Sequence, residues 1–330
     1  MKAIIPGPAG CAGDLWAITC FFNPIGYWRR YANYRRFRER LNVPLLAVEL
    51  GYRHGFELRE DDAERVIRLR AEDVLWQKER LLNLAVAALP ASCRKVVWVD
   101  CDILFEDADW HEKTRAALDR FLLVQPFSSA DRTPAGWTPG TAAPPTEALR
   151  SAPALIAAGM SVAVCMGSRS SEIGCAHGYA WASHRDLLER HLLYDACIVG
   201  GGDTAMMRAA YGRFDDSARY LYMNAARAEH YFDWARRFHA DVGGSVGHVE
   251  GTVFHLWHGE TANRRYAQRQ QMLSAFAFDP AADIAVDRGG AWRWSSDKPA
   301  MHASVRAYFS SRCEDGGLAA AGALVDSREA

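Results

Sequence analysis

Lys95-Val96-Val97-Trp98-Val99-Asp100-Cys101-Asp102-Ile103-Leu104-Phe105 is the stretch that decides the fold. A short, unbroken apolar run ending in two acids reads as a strand buried on both faces, as in a parallel sheet. Residues i and i+2 of an extended chain point the same way, so Asp100 and Asp102 face one side. They stand at the carboxyl end of that strand, where open α/β sheets bind ligands. Two neighbouring carboxylates repel, and a divalent cation is the cheapest partner that keeps both ionised. Hard oxygen ligands suit Mg²⁺ or Mn²⁺, ions that commonly bridge to phosphates. The bland counterpart is a strand end with two solvated acids. Asp107-Ala108-Asp109 repeats the spacing but follows no apolar run, and helix capping explains it better.

Outward from this strand the pattern alternates. Leu15 to Phe22 is a buried-looking strand ending at Asn23-Pro24, and Pro44 to Leu50 is a second. Between them Tyr27 to Leu41 carries aromatics at 27, 28, 31, 34 and 37, the spacing of an amphipathic helix. Phe56 to Leu58 and Val66 to Leu69 read as short strands, Asp73 to Leu89 as a helix stopped by Pro90, and Trp110 to Phe121 as another. Ser128 to Pro145 reads as a loop and Thr146 to Ala158 as a helix. Further helices are expected near Asn263 to Ala275 and Met301 to Ser311. Strands alternating with helices predict an α/β fold with a mainly parallel sheet and right-handed crossovers.

Composition narrows the function. The 330 residues are 49% hydrophobic and 24% charged, with 39 Lys+Arg against 40 Asp+Glu, a formal net charge of −1. A near-neutral chain lacks the basic footprint of general nucleic-acid binding. The arginine-aromatic helix Trp28 to Arg38 could meet anionic membrane surfaces or phosphates, but a packed helix with a solvated arginine face is the simpler reading. No apolar run approaches the roughly 20 residues that span a bilayer, which leaves room only for peripheral membrane contact. Pro8 to Cys11 has no hydrophobic stretch before it, so a lipoprotein processing site is not expected. The eight cysteines are scattered without a Cys-x-x-Cys pair, fitting buried thiols in a reducing, cytoplasmic setting.

Two more stretches carry chemistry. Ile198-Val199-Gly200-Gly201-Gly202-Asp203 opens a helix with an acid after a glycine turn. Asp203 reads as a helix cap or as a reactive group delivered to a cleft; no Gly-Lys-Ser/Thr follows, which excludes a P-loop. Val253-Phe254-His255-Leu256-Trp257-His258-Gly259 sets two histidines three apart beside a Trp, either as metal ligands or as core residues bonded to backbone.

The strand ending in Asp-x-Asp, with Lys78-Glu79-Arg80-Leu81-Leu82-Asn83 on the preceding helix, resembles the nucleotide-sugar glycosyltransferases of the GT-A fold. The glycine turn and the histidine pair, in that order, are similar to those of the inverting β-1,4-galactosyltransferases and their bacterial family-two relatives. The resemblance spans Trp16 to Arg269. It implies that Asp100 reaches the ribose or a metal-bound water, that Asp102 binds the metal, and that His258 and His255 complete its shell. It implies Asp203 as the base that deprotonates an acceptor hydroxyl, with Gly202 standing where those enzymes have a first acid.

Thr19, Phe21, Asn23 and Glu49, at the ends of the first two strands, are placed with Lys78 and Asn83 as nucleotide-binding positions. Gly201, Gly202 and Trp181 are expected on the acceptor or sugar side, Trp181 as a platform or else as core. The implied reaction is transfer of a sugar from a nucleoside diphosphate sugar, UDP-linked by preference, to a glycan or other hydroxyl, with Mn²⁺ or Mg²⁺ and with inversion; the acids alone do not fix the stereochemistry. Residues 1–127 are expected to form the nucleotide half, 128–315 the acceptor and metal-completing half of the same domain, and 316–330 a flexible tail. Competing readings are a sugar nucleotidyltransferase, for which no basic Gly-rich loop follows the first strand, and a non-catalytic nucleotide- or carbohydrate-binding module.

Overall fold

The computed structural model describes residues 13–141 and 145–316; the lipoprotein-like Pro8 to Cys11 and the expected tail beyond residue 316 lie outside them. Strands β1 (Leu15–Phe22), β2 (Leu45–Gly51), β3 (Arg65–Arg70) and β4 (Lys95–Val99) form one side of a seven-stranded sheet. β5 (Ile103–Phe105) leaves it for a second sheet. β6 (Leu123–Gln125), β10 (Ala180–His184) and β11 (Val246–His248) complete the first sheet, whose order is β11-β6-β10-β4-β1-β2-β3. Its pairs are parallel except those made by β10, which runs antiparallel to β4 and β6. The mainly parallel α/β sheet expected from the alternation is therefore present.

Every residue of β2 is buried, and adjacent residues of β1 enter opposite cores. Ile18 packs with Leu46, Val48, Val96 and Trp98 on one face. Ala17 and Phe21 pack with Tyr34, Phe37, Val97 and Val99 on the other. Burial on both faces is why these strands read as continuous apolar runs. β3, at the edge, carries exposed Arg65, Arg68 and Arg70, charges that blunt edge pairing.

The second sheet has the order β5-β12-β7-β8-β9, from β7 (Ser129–Arg132), β8 (Glu147–Ser151), β9 (Cys175–Ala176) and β12 (Thr252–His255). Two expectations are corrected here. The supposed loop contains β7, and the first turn of the supposed helix at 146–158 is β8. Ala130 faces Leu149 across that pair, and burying both outweighs the helix propensity of the alanines. The helix begins only at Ala152, capped by the Ser151 hydroxyl, which accepts from the Ala154 amide. Phe56 to Leu58 is not a strand either, because the amides of Glu57 and Leu58 donate to the Glu49 carboxylate instead. Among the described residues no helix is long and apolar enough to cross a membrane.

Candidate functional site

Asp100 to Asp102 form the turn between β4 and β5, the point where the chain passes from one sheet to the other. β5 pairs with β12 so that Ile103 faces His255, and the Leu256 amide donates to the Asp102 carbonyl. Sheet pairing thus places His255 beside the acidic turn, and the chain beyond β12 brings back His258. His258 Nε2 lies 3.1 Å from Asp102 Oδ2, His255 Nε2 3.7 Å from Asp102 Oδ1, and the two Nε2 atoms 3.1 Å apart. One donor atom from each residue falls within a 4.8 Å circle.

The donor chemistry fits a divalent cation. Asp102 Oδ1 is buried without a hydrogen-bond partner among the described residues. Burial, helped by His258, Arg264 and Arg132, holds His255 well below the usual imidazole range despite Asp102 beside it, so its ring is neutral and a lone pair is available. Arg264 Nη2 donates to His258 Nε2 at 2.7 Å, which makes Nε2 the unprotonated nitrogen and Nδ1 the N–H. Nδ1 faces Glu314 Oε1 at 3.6 Å. Glu314 is fully buried and clamped by Arg30, through Nε at 2.5 Å and Nη2 at 3.0 Å, and by Arg312 Nε.

Lys78 links this cluster to the glycine turn. Its ammonium lies 2.6 Å from Asp100 Oδ1 and 2.7 Å from Asp203 Oδ2. Burial opposes its charge, but Asp100 and Asp203 outweigh that and hold Lys78 protonated. Burial pushes Asp100 up to about 6, against the pull of Lys78. Gly200 and Gly201 adopt φ of +86° and +107°, conformations that cost little only for glycine. They turn the chain into the helix Gly202–Ala210, whose start has no side-chain cap. The Asp203 carboxylate makes no cap hydrogen bond and meets Lys78 instead. A Cβ at Gly202 would stand 2.1 Å from Glu79 Oε1, so the Glu79 carboxyl fills the space of a side chain at 202. Burial, with Asp203 adding to it, raises Glu79 to about 8.

Two joined cavities meet over these residues. The first is lined by Cys20, Phe22, Trp76, Asp100, Asp102 and His258 among others. The second holds Gly178, Tyr179, Gly201, Asp203, Arg132 and Arg269. Lys78, Asp100, His255, Arg264 and Arg312 line both.

Several expected residues are not brought here, and each has a physical reason. Thr19 donates its hydroxyl to the Val99 carbonyl, and Phe21 packs edge-on against Tyr34 in the opposite core; their alternating neighbours Cys20 and Phe22 line the cleft instead. Asn23 holds the turn to Tyr27 through both backbone groups of that residue, and Glu49 orders Glu57 and Leu58. Asn83 spends its amide on the Leu193 backbone. Trp181 is fully buried, its indole donating to the His177 carbonyl, and is core rather than a platform. The sequence reading missed Glu79, Arg132, Arg264, Arg269, Arg312 and Glu314; the glycine at 202 was the one hint that an acid comes from elsewhere.

No family model and no curated protein matches the chain. Among solved structures it is similar to glucosyl-3-phosphoglycerate synthase from Mycobacterium tuberculosis in complex with Mn²⁺, UDP and phosphoglyceric acid, at 13% identity and a TM-score of 0.39 over 82% of this chain and 81% of that one. A mannosyltransferase from Pyrobaculum calidifontis in complex with GDP-mannose and Mn²⁺ matches at 13% identity and a TM-score of 0.37, over 95% and 79%. TarS from S. aureus matches at 10% and 0.36, over 68% and 42%. At these scores the likenesses assign nothing to this chain by themselves.

Proposed function

We propose that this chain is a metal-dependent glycosyltransferase of the GT-A type, moving a sugar from a nucleoside diphosphate sugar to an acceptor hydroxyl. The observation that carries the reading is the convergence of two imidazole nitrogens and the two oxygens of the Asp102 carboxylate, 3.1 to 3.7 Å apart, at the carboxyl end of a mainly parallel sheet. Asp102, His255 and His258 would hold the ion, with Asp100 beside them. A bound Mn²⁺ or Mg²⁺ would supply Lewis-acid stabilisation of charge on the leaving diphosphate.

The rest of the work falls to the chain's own groups. Arg264 and Arg312, lining both cavities, face the same charge with guanidinium forks suited to phosphate oxygens. Lys78 orients Asp100 on the donor side and Asp203 on the acceptor side. Among the described residues only Lys78 bonds the Asp203 carboxylate, at Oδ2, which leaves Oδ1 open to an acceptor proton. As the acceptor oxygen forms its bond to the anomeric carbon, its proton passes to Asp203 and the bond to the diphosphate oxygen breaks. A single displacement of this kind inverts the centre. General-base assistance of this sort contributes on the order of 10²–10⁴ in rate.

The test is a panel of nucleotide sugars, UDP-linked first, incubated with Mn²⁺ while nucleoside diphosphate release is followed. Release by the native chain is expected to fall at least 100-fold in both Asp102→Ala and Asp203→Asn. Release that survives both substitutions would overturn the assignment.

A further inference from the structure

The cavity beside Asp203 carries more positive charge than the reaction just described needs. Arg264 and Arg312 border both cavities, but Arg132 and Arg269 line only the second. Arg269 is nine-tenths buried and has no carboxylate within 4 Å among the described residues. Its Nη1 donates to the Tyr308 hydroxyl, its Nε has no partner, and it stacks over Tyr266 and Tyr308. A buried charge without a counterion costs several kcal/mol, so an uncompensated guanidinium in a cleft is a place for an anion.

Its position is specific. A Cβ at Gly200 would lie 3.2 Å from Arg269 Nη2, so this guanidinium packs against the glycine turn that presents Asp203. From the other side Arg132 Nε donates to the Tyr179 hydroxyl at 3.1 Å, while its Nη1 pairs with the Glu147 carboxylate, which leaves Nη2 for a ligand; the uncompensated charge is Arg269's. Tyr179 is held at φ +80° next to Gly178, where a Cβ would stand 3.1 Å from Asp203 Oδ2. Arg132, Arg269 and Asp203 thus line one cavity.

We propose that the cavity between Arg132 and Arg269 binds an anionic group, a carboxylate or a phosphate, carried by the acceptor next to the hydroxyl that Asp203 deprotonates. This rests on the glycosyltransferase reading for the identity of the acceptor, but the anion site itself does not. Bidentate recognition by guanidinium suits either oxyanion.

Calorimetry on the full chain tests it. Mn²⁺ and UDP are titrated first, and then inorganic phosphate, glycerate and, as the neutral control, glycerol into the loaded protein. The anions are expected to bind at least tenfold more tightly than glycerol. Arg132→Gln and Arg269→Gln should each weaken them at least tenfold, with UDP affinity changed less than threefold and partial rescue by Arg132→Lys. Whichever of phosphate and glycerate binds more tightly identifies the group. Arg132 is partly exposed, so its variant keeps the test available if the Arg269 variant fails to fold. Failure of Mn²⁺ and UDP to load counts against the glycosyltransferase reading alone; phosphate is then titrated into the unloaded chain and the same substitutions decide. Anions that bind no better than glycerol, or equally well to both variants, would overturn the proposal.

Discussion

At the scale of single residues, Glu314 and Asp203 make opposite predictions about the same cleft. Glu314 stands behind His258, Oε1 3.6 Å from Nδ1, while Nε2 faces Asp102. Outer carboxylates of this kind change metal affinity by about 10–100-fold. Glu314→Gln should therefore weaken Mn²⁺ binding at least tenfold by calorimetry while leaving the far-ultraviolet circular dichroism unchanged. Asp203→Asn should leave Mn²⁺ affinity unchanged and lower kcat for transfer at least 100-fold; a lost Mn²⁺ affinity in that variant would place Asp203 in the wrong role.

What the sequence disclosed at this scale follows from locality. Asp100 and Asp102 were legible because the i, i+2 rule acts within one strand end. Thr19 and Phe21 were misplaced because β1 is buried on both faces, so no hydrophobic alternation reveals which parity faces the cleft. Glu314 had no local signature at all. Its partners Arg30 and His258 lie far away in the chain, and its burial is decided by how the last described segment closes over the helix Trp28–Arg40.

At the scale of elements, the site is a junction between two sheets. The β4–β5 turn supplies the acids, and β12 supplies the histidines by pairing with β5 rather than with the central sheet. β7 and β8, which composition disguised as loop and helix, complete the sheet on which β12 lies. Strand pairing between distant segments leaves no periodic trace when the strands are two to five residues long, which is why that sheet was not foreseen. The other contributing element is the helix Gly202–Ala210, seated directly on Glu79. Gly202→Ala places a methyl group within the space of the Glu79 carboxyl. Transfer activity is expected to fall at least tenfold, with a lowered melting temperature. Full activity in Gly202→Ala, measured by nucleoside diphosphate release, would mean that the turn adjusts freely and does not fix Asp203.

At the scale of the whole molecule, Asp203, His255 and His258 come from segments far along the chain from Asp100 and Asp102, so cleft and fold stand together. Among the buried groups that link the fold to pH, His177 lies away from the ion site. Burial, with Arg208 nearby, lowers His177 to about 3 from an ordinary 6.5, while its ring bonds the Cys165 carbonyl at 3.1 Å. The unfolded chain therefore binds a proton between those values that the folded chain does not. The contribution is present in full above about pH 6.5 and is lost as pH falls toward 3, on the order of a few kcal/mol. Because Glu79 and Asp100, raised on folding, act in the opposite sense over the same range, the test is the difference between variants: in chemical denaturation between pH 7 and 4.5, His177→Gln should lose less stability than the native chain, and an equal change in both would exclude the His177 contribution.

The central claim is that one divalent ion is shared by side chains from both halves of the chain. An anomalous difference map from a crystal soaked in Mn²⁺ and UDP addresses it directly. A single strong peak within coordination distance of Asp102, His255 and His258 is predicted, vanishing in His258→Ala. A peak bound elsewhere, or no peak at that trio with UDP in place, would contradict it.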